Sequence, residues 1–263
     1  MIPQVIHYCW FGGKKKSKLI SDCINSWKYH LPDYEIIEWN KKNSDLSHPF
    51  VKKAYKLKKW AFVSDFIRLK VLYDFGGVYL DTDMMVLKPF DELLTNECFL
   101  GAESEDFISC GIIGVVKNNK FIKECLLKYN FIEINKGINW GLITIPRIIT
   151  DVFKYNNNFY LPFDKIIERK GVVIYPFDYF YPLDYENKDD LENYKNYLST
   201  NSFAVHLWNS SWIQYSEFYY LRNGEYSKGF GIVWSDLFSK KNINIKYFKN
   251  IVSCIKESLS KNE

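Results

Sequence analysis

The stretch that most constrains the fold runs from residue 60 to residue 86. Residues 60–75 have the apolar spacing of a helix, and two glycines follow directly. A short apolar strand then leads to two carboxylates, Asp81 and Asp83. A helix that returns within a few residues to a buried strand is typical of an α/β sheet.

The flanking sequence repeats this alternation. The chain opens with a β-branched and aromatic run that stops at two glycines, followed by a helical pattern over 17–30. Pro32 breaks that pattern before a second apolar run, "YEIIEW". The runs "CFLGAE" and "CGIIGVV" predict further buried strands, and 121–131 predicts a helix. The chain is therefore predicted to form an α/β sheet covered by helices.

The second half carries weaker signals. Polar, asparagine- and tyrosine-rich segments predict loops, while "GVVIYP" and "SFAVHLW" predict short strands. Residues 242–260 place apolar side chains at helical spacing among lysines, which predicts an amphipathic basic helix. Two interpretations stay open for this helix: it packs onto the domain, or it rests on an anionic membrane surface.

Composition narrows the class of protein. The 263 residues, 47% of them hydrophobic, are enough for one sizeable core, and the diffuse net charge of +4 argues against nucleic acid as a partner. Six scattered cysteines without a CxxC pair predict buried thiols in a reducing cytoplasm. The chain shows neither a secretory signal nor about 18 consecutive apolar residues. We therefore expect a cytoplasmic protein, soluble or peripheral to the membrane.

The two aspartates after the central strand predict a ligand site. If the strand continues through them, Asp81 and Asp83 point to the same side, at the sheet edge where open α/β folds bind ligands. Two adjacent carboxylates repel unless a cation lies beside them, and Mg²⁺ or Mn²⁺ prefers such oxygen ligands. A solvated turn after the strand is the alternative, since a D-x-D pattern alone is weak.

The preceding helix carries a second charged pair. Asp65 and Arg68 fall on one half-buried face of the predicted helix, together with Ala61 and Leu72. They form either a simple ion pair or part of a site, in which Arg68 lies near a metal-bound diphosphate and Asp65 accepts hydrogen bonds from a ribose or sugar hydroxyl.

These motifs together resemble a known family. The segments "IHYCWFGG", "YEIIEWN", "AFVSDFIRLKVLYDFGGVYLDTDMMVL" and "HLWNSSW" are similar to family 32 glycosyltransferases with the DXD sugar-binding motif, which include bacterial capsule and lipopolysaccharide sugar transferases. The likeness to the glucosylating domain of large clostridial toxins is more distant. The resemblance to family 32 covers residues 1–116 densely and returns near 202–212.

The resemblance implies a fold and a reaction. It implies a GT-A type fold, a Rossmann-like mixed sheet flanked by helices with helical additions at the C-terminus. It divides one domain into a nucleotide-sugar-binding half at 1–116, an acceptor-side half at 117–240 and the amphipathic helix at 241–263. The implied activity is sugar transfer with retention of configuration, using Mn²⁺ or Mg²⁺. The donor would be a UDP-sugar, with a GDP-mannose donor as the alternative, and the acceptor a saccharide or lipid-linked saccharide.

The resemblance also assigns residues. Asp83 is the direct metal ligand, while Asp81 contacts the donor ribose or sugar and binds the metal through water. The catalytic set is Asp81, Asp83 and Arg68, and the remaining donor-binding residues are Trp10, Asn40, Asp65, Tyr79, Ser210, Ser211 and Trp212. Trp10 would stack on the nucleobase. His206 is either a third metal ligand or a histidine of the core.

The same resemblance implies the chemistry and the location. The bound metal and Arg68 would neutralise the leaving diphosphate, which would help to deprotonate the acceptor in a front-face reaction. The implied location is the inner face of the cytoplasmic membrane, in surface-polysaccharide synthesis. Cys110 and Thr144-Ile145-Pro146 depart from the family pattern, so the sugar is left open. Glu103 is expected in an exposed acidic loop, with contact to the donor sugar or acceptor as the alternative.

Two other classes remain as alternatives. A haloacid-dehalogenase-like phosphohydrolase also ends a strand in D-x-D, but it needs later lysine and acidic pairs, and the one Asp-Asp pair of this sequence, Asp189-Asp190, falls in a polar segment. A non-catalytic carbohydrate-binding protein would explain the aromatic residues but not the Asp65–Arg68 pair beside the metal site.

Overall fold

A seven-stranded mixed sheet forms the centre of the molecule. The computed structural model describes residues 1–13, 15–134, 138–209, 217–222, 224, 226–238 and 245–259. Strands lie side by side in the order β2-β1-β3-β6-β5-β8-β7, and β4 pairs with β9 in a separate two-stranded sheet. The strands are β1 Val5–Cys9, β2 Glu35–Trp39, β3 Gly77–Leu80, β4 Met84–Val86, β5 Cys98–Ala102, β6 Ile108–Val115, β7 Ile167–Arg169, β8 Val172–Tyr175 and β9 Ala204–His206.

Two of the helices begin directly after a residue whose side chain accepts a free N–H group of the first turn. Ser17 accepts a hydrogen bond from the N–H of Ile20 at the start of α1, and Asn119 does the same for Ile122 at the start of α4. The helices are α1 Lys18–His30, α2 Pro49–Lys56, α3 Trp60–Phe75, α4 Lys120–Lys128, α5 Ile145–Asn157, α6 Glu217–Arg222, α7 Tyr226–Phe238 and α8 Ile245–Leu259.

Strand direction decides which chain segments meet at one edge of the large sheet. β1 runs parallel to β2 and to β3. β6 is antiparallel to both β3 and β5, so β5 points the same way as β3. The carboxyl ends of β1, β2, β3 and β5 therefore lie at the same edge, which is where ligands bind in open α/β sheets.

The turn from α3 into β3 depends on two glycines. Gly76 and Gly77 have φ values of +70° and +103°, and a Cβ on Gly77 would lie 2.7 Å from the carbonyl oxygen of Val5. The ring of His7 holds this turn, with Nε2 2.8 Å from the Gly76 carbonyl oxygen, while Trp39 Nε1 donates to His7 Nδ1. His7 is a buried structural residue, and it holds the turn through which the chain enters β3.

Two apolar cores cover the two faces of the sheet. One contains α3, α4 and α5 residues such as Leu72 and Phe153, and the other contains Trp27 of α1 and Phe180. The fold class expected from the sequence is confirmed: a mixed α/β sheet flanked by helices, with helices added at the C-terminal end. All six cysteines are buried free thiols, as predicted.

The chain separates into two compact units, residues 1–209 and 210–263. The second unit contains α6, α7 and α8, which pack around Leu221, Val233, Ile251 and Cys254. The predicted amphipathic helix is present as α8. Among the described residues, no helix has the length and apolarity needed to cross a bilayer. The division into donor and acceptor halves stays a prediction.

Candidate functional site

The shared edge of β1, β2, β3 and β5 gathers most of the predicted site residues. Trp10 directly follows β1, Asn40 follows β2, and Asp81 follows β3. Glu103 follows β5 at the same edge. Polar and aromatic groups distant in sequence thus lie at one edge because the four strands run in the same direction.

The D-x-D segment forms a turn between two strands, which corrects one step of the sequence argument. β3 ends at Leu80 and β4 begins at Met84, so the alternation of a strand does not decide where Asp81 and Asp83 point. The N–H of Met84 donates to the carbonyl of Asp81 across the turn, and the N–H of Asp81 donates to the carbonyl of Gly111. Each aspartate has its own set of partners.

Asp81 belongs to a buried cluster around Arg68. Arg68 Nη1 lies 3.3 Å from Asp81 Oδ2 and donates to the Cys110 carbonyl at 2.6 Å, while Nη2 lies 3.1 Å from Asp65 Oδ1 and 3.2 Å from Asp81 Oδ1. Tyr79 donates from its hydroxyl to Asp81 at 3.1 Å, and its ring lies under the guanidinium. The predicted common face of Asp65 and Arg68 is therefore confirmed, and it is an ion-paired one.

One guanidinium serves two carboxylates in this cluster, and burial affects the protonation of Asp65. Burial raises the pKa of Asp65 to about 7; Arg68 opposes the shift, and the charge of Asp81 adds to it. The Asp81 side chain keeps 28% of its surface exposed, against 6% for Arg68. Asp81 is thus the member of the cluster that a ligand can reach.

Asp83 is held by a different pair of groups. Its Oδ1 lies 3.1 Å from His206 Nε2, and its Oδ2 accepts the N–H of Asn209 at 2.8 Å. Antiparallel pairing of β4 and β9 places Met84 opposite His206, which explains a contact between residues so far apart in the chain. Trp208 has φ +45°, a left-handed turn of the backbone that immediately precedes the Asn209 N–H.

The Asp83–His206 contact holds the aspartate in its charged form. Burial opposes ionisation of Asp83, but His206 and the Asn209 N–H outweigh it and lower the pKa of the carboxyl. Burial likewise lowers the pKa of His206, and the charge of Asp83 reverses that effect to a net rise. His206 Nδ1 is buried without a hydrogen-bond partner. His206 therefore faces the predicted metal ligand and does not sit in the apolar core.

Trp10 lies in a second charged cluster at the ends of β1 and β2. The backbone N–H of Trp10 donates to the carbonyl of Trp39, and the ammonium of Lys16 lies 5.3 Å from the centre of the Trp10 ring. Lys16 also pairs with Glu38 at 2.6 Å, and Asn40 donates from its amide to Glu38 at 3.1 Å. Asn40 and Trp10 follow the paired ends of β2 and β1, and the role of Asn40 in the donor pocket stays a prediction. The sequence reasoning did not include Glu38 or Lys16.

Glu103 differs from its sequence expectation. It is partly buried, and its N–H donates to the carbonyl of Phe107, so it is not part of a fully exposed loop. Burial raises the pKa of its carboxyl, against a hydrogen bond from Ser109 and the charge of His206. The exposed-loop prediction was wrong, because the chain turns back at Phe107 and brings Glu103 into the electrostatic neighbourhood of His206.

Three predicted donor-binding residues, Ser210, Ser211 and Trp212, lie outside the described residues. Within the described part of the chain, no group of three or more His, Cys, Asp and Glu side chains is arranged to hold a metal ion. Groups that the sequence could not reveal are the Cys110 carbonyl and the Asn209 N–H, since backbone partners leave no residue-type signal.

The central part of this site lies in a segment that matches a known family model. Residues 17–100 match the family model described as "Glycosyltransferase sugar-binding region containing DXD motif". The matched segment contains Asp65, Arg68, Tyr79, Asp81 and Asp83. Residues 17–100 are therefore similar to the sugar-binding region of these glycosyltransferases. Trp10 and His206 lie outside it.

Curated relatives are sugar transferases by name. The chain is 31% identical over 152 residues to lactosylceramide 4-alpha-galactosyltransferase of Mus musculus, covering 56% of this chain and 40% of that protein. It is 30% identical over 158 residues to alpha-1,4-N-acetylglucosaminyltransferase of Homo sapiens, covering 58% and 44%. This chain spans less than half the length of these two relatives.

Solved structures give a looser likeness. The glycosyltransferase GlyE of Streptococcus pneumoniae TIGR4 is similar with a TM-score of 0.48 and 12% identity, covering 100% of this chain and 64% of that chain. No functional conclusion follows from a likeness of this degree.

Proposed function

We propose that this chain is a metal-dependent retaining glycosyltransferase of the GT-A type that moves a sugar from a nucleotide-sugar donor to a saccharide acceptor. The observation that carries the proposal is Asp83, an ionised aspartate at the β3–β4 turn, within the segment that matches the DXD family model. The carboxylate of Asp81 lies two residues away and is fixed by Arg68 and Tyr79.

The donor set suits a hard divalent cation. Carboxylate oxygens and an imidazole nitrogen are ligands that Mn²⁺ accepts, and carboxylates alone suit Mg²⁺. Asp83 and Asp81 would hold the ion, and diphosphate oxygens would supply further ligands. His206 would have to release its contact with Asp83 before it could bind as a third ligand. When bound, the ion supplies positive charge against the leaving diphosphate. The lowered pKa of Asp83 keeps its carboxylate charged for this role.

The remaining residues act on the donor through hydrogen bonds. Asp81 is the exposed end of a fixed cluster, so it can accept a hydroxyl of the ribose or the sugar without loss of side-chain freedom. Arg68 directs Nη1 and Nη2 to the carboxylates of Asp65 and Asp81 and to the Cys110 carbonyl, which positions Asp81. Its direct contact with the diphosphate stays a prediction. Trp10 would stack on the base.

The finer assignments of donor, acceptor and pathway are part of the same proposal. The named relatives transfer galactose or N-acetylglucosamine by their titles, and one acts on a glycolipid, lactosylceramide. This supports a nucleotide-sugar donor and a saccharide or lipid-linked saccharide acceptor. The choice of a UDP-sugar, with GDP-mannose as the alternative, rests on the sequence resemblance. A role in bacterial capsule or lipopolysaccharide synthesis rests on the sequence resemblance, because the two named relatives are animal proteins.

A donor panel tests this function. We would measure hydrolysis and transfer with UDP- and GDP-sugars in Mn²⁺, and phosphate release from phosphomonoesters, for the parent and for Asp83→Ala. We expect turnover of a nucleotide-sugar that falls about 10³-fold or more in the variant, since a metal contributes several kcal/mol of charge stabilisation. Asp189→Asn, a change at an exposed aspartate, is the matched control and should act like the parent.

The same panel decides between the reaction classes. Phosphate release from monoesters without nucleotide-sugar turnover would establish the phosphohydrolase alternative. Against that alternative, Asp190 bonds only to Asn193 and Tyr197 among the side-chain partners described, so the acidic pair stays within its own segment. Sugar binding without turnover of any donor would establish a carbohydrate-binding protein.

We propose a location as well: the cytoplasm, with α8 resting on an anionic membrane surface. Ile245, Phe248, Val252 and Leu259 follow helical spacing along one side of α8 and are 48–78% exposed. Lys249 and Lys256 are exposed on the same helix and complement anionic lipid headgroups.

Vesicle sedimentation tests this location. The parent should sediment with vesicles of phosphatidylglycerol and phosphatidylcholine, but not with phosphatidylcholine alone. Phe248→Glu combined with Val252→Glu should abolish sedimentation, while Lys188→Glu, an exchange elsewhere on the chain, should not. Equal sedimentation of the parent with both vesicle types would contradict the electrostatic part of the proposal.

A further inference from the structure

Glu38 is the centre of a small polar array beside Trp10. Its Oε2 accepts hydrogen bonds from the Tyr8 hydroxyl at 2.8 Å and from the Lys16 ammonium at 2.6 Å, and its Oε1 accepts from the Asn40 amide at 3.1 Å. The side chains of Lys16 and Glu38 keep 26% and 31% of their surface exposed. The array is therefore fixed by hydrogen bonds and still accessible to a ligand.

The orientation of Asn40 in this array is determined by its backbone neighbour. Its Oδ1 accepts the N–H of Lys42 at 2.9 Å, so its Nδ2 faces Glu38. The array then presents a donor, an acceptor and a donor in order: Asn40 Nδ2, the Glu38 carboxylate, and Lys16 Nζ. Three of about four lone-pair positions on Glu38 are used, and Oε1 has capacity for one further N–H.

The aromatic surface lies next to this array. The Lys16 ammonium lies 5.3 Å from the centre of the Trp10 ring and 5.6 Å from that of Tyr8. The same ammonium is 2.6 Å from Glu38, so one charged group links the ring to the carboxylate. The Glu38 carboxylate is therefore close to the face of Trp10 on which a flat ligand would stack.

We propose that Glu38, flanked by Asn40 and Lys16, recognises the N3 edge of a uracil ring stacked on Trp10, and so selects a uridine diphosphate donor. This inference rests on the proposed function, because it names the base of that donor. Uracil presents an acceptor, a donor and an acceptor along this edge: O2, N3–H and O4. Glu38 accepts N3–H, while Asn40 and Lys16 donate to the two carbonyls.

Other bases fit this array less well. Cytosine places an unprotonated N3 opposite the carboxylate, so two acceptors face each other. Guanine satisfies Glu38 through N1–H, but its 2-amino group meets a donor of the array. A buried or half-buried polar group left without its partner costs about 1–3 kcal/mol, which corresponds to a discrimination of roughly 5- to 150-fold.

Lys16 has to move when the base binds. Its ammonium lies over the Trp10 ring, which is the space that a stacked base would fill. It lies in the segment between β1 and α1, where a Cβ built on Gly13 would have no atom within 4 Å. Lys16 thus exchanges the face of Trp10 for the edge of the base.

Calorimetric titration with UDP and 3-methyl-UDP, in Mn²⁺, tests the proposal on the unmodified protein. The methyl group removes the N3–H donor. We expect the parent to bind UDP at least about tenfold more tightly than 3-methyl-UDP. Glu38→Gln should lose most of this preference, and Lys16→Met should weaken UDP binding about threefold. Lys18→Met breaks an exposed ion pair with Asp22 on α1 and should leave both affinities unchanged.

The outcomes separate this inference from the proposed function. Equal affinity of the parent for UDP and 3-methyl-UDP, with binding that still depends on Trp10, would overturn the role of Glu38 alone. An unchanged preference in Glu38→Gln would do the same. If no uridine or guanosine nucleotide bound to the parent in Mn²⁺, the proposed glycosyltransferase function itself would fail. Circular dichroism of each variant checks that the fold is retained.

Discussion

Two clusters of a cation with carboxylates lie at the same edge of the sheet, and they differ in burial. Arg68 and Asp65 keep only 6% and 10% of their side-chain surface exposed, whereas Lys16 and Glu38 keep 26% and 31%. Buried charges need one another, because no water replaces a lost partner. Half-exposed charges can exchange a partner for water or a ligand. The first cluster therefore shapes the site, and the second is free to respond to the donor.

Replacing Arg68 by methionine should give the largest effect in this comparison. Asp65 and Asp81 would lose their shared counter-charge, and the Cys110 carbonyl would lose its donor. Breaking a buried pair by removing one partner costs about 3–5 kcal/mol. We expect the free energy of unfolding to fall by that amount in urea titrations at pH 7.5.

The control for this variant is Arg222→Met. Arg222 pairs with Glu257 in an exposed position on the C-terminal unit, and its loss should leave the urea midpoint of the main transition unchanged. A cost of less than about 1 kcal/mol for Arg68→Met would mean that the buried ion pairs of Arg68 stabilise the fold no more than a half-exposed pair does.

Asp65 makes the stability contributed by the buried cluster depend on pH. Burial raises its pKa in the folded protein to about 7, against about 3.9 for an unfolded chain. The folded state therefore holds a proton that the unfolded state releases between about pH 4 and pH 7. Stability from this site is complete below pH 4 and is lost as the pH rises through 7, by at most about 1.4 kcal/mol per unit.

Asp65→Asn should remove that slope. The asparagine cannot titrate, so the difference in unfolding free energy between parent and variant should decrease steadily from pH 4.5 to pH 7.5. Urea titrations at half-unit intervals would measure it. A difference that stays constant with pH would show that Asp65 is charged in the folded state throughout this range.

Trp10→Ala examines the half-exposed cluster through binding. Stacking of a base on an aromatic ring contributes about 1–3 kcal/mol, so the Kd for the donor nucleotide should rise roughly 5- to 150-fold. The rate constant of the bound complex should change little, because Trp10 does not touch the reacting bond. Stopped-flow and steady-state kinetics would separate the two. An unaltered Kd would exclude the stacking role.

Local pattern was enough to predict the elements that carry the site. The helical spacing of 60–75 matches α3 Trp60–Phe75, and the common face of Asp65 and Arg68 follows from a step of three residues. These features depend on residues close in sequence, where helix geometry fixes the outcome. The α/β class follows in the same way from the alternation of strand-like apolar runs with helical patterns along the chain.

Long-range pairing was not predictable from local pattern. Asp83 meets His206 because β4 pairs with β9, and nothing near Asp83 indicates that partner. The sequence left a turn at Asp81 as the alternative to a continuing strand, and the end of β3 at Leu80 depends on its pairing with β6. Glu38 was counted as a strand residue, and its contact with Lys16 depends on the path of the segment between β1 and α1.

Lys16→Met should give the smallest effect on stability and so completes the comparison. A half-exposed ion pair contributes about 0–1 kcal/mol, and Glu38 keeps the Tyr8 hydroxyl and the Asn40 amide as partners after the change. We expect the free energy of unfolding to stay within about 0.5 kcal/mol of the parent. The same variant weakens UDP binding in the proposal above, so its effect on binding should exceed its effect on folding.

The reverse result would be equally informative. If Lys16→Met destabilised the fold by about 3 kcal/mol, as expected for Arg68, Lys16 would have to be a fixed support for β1 and β2. Such a support could not move aside from the Trp10 ring without cost to the fold. A stable variant with altered nucleotide affinity is therefore what distinguishes a charge that responds to ligand from a charge that maintains structure.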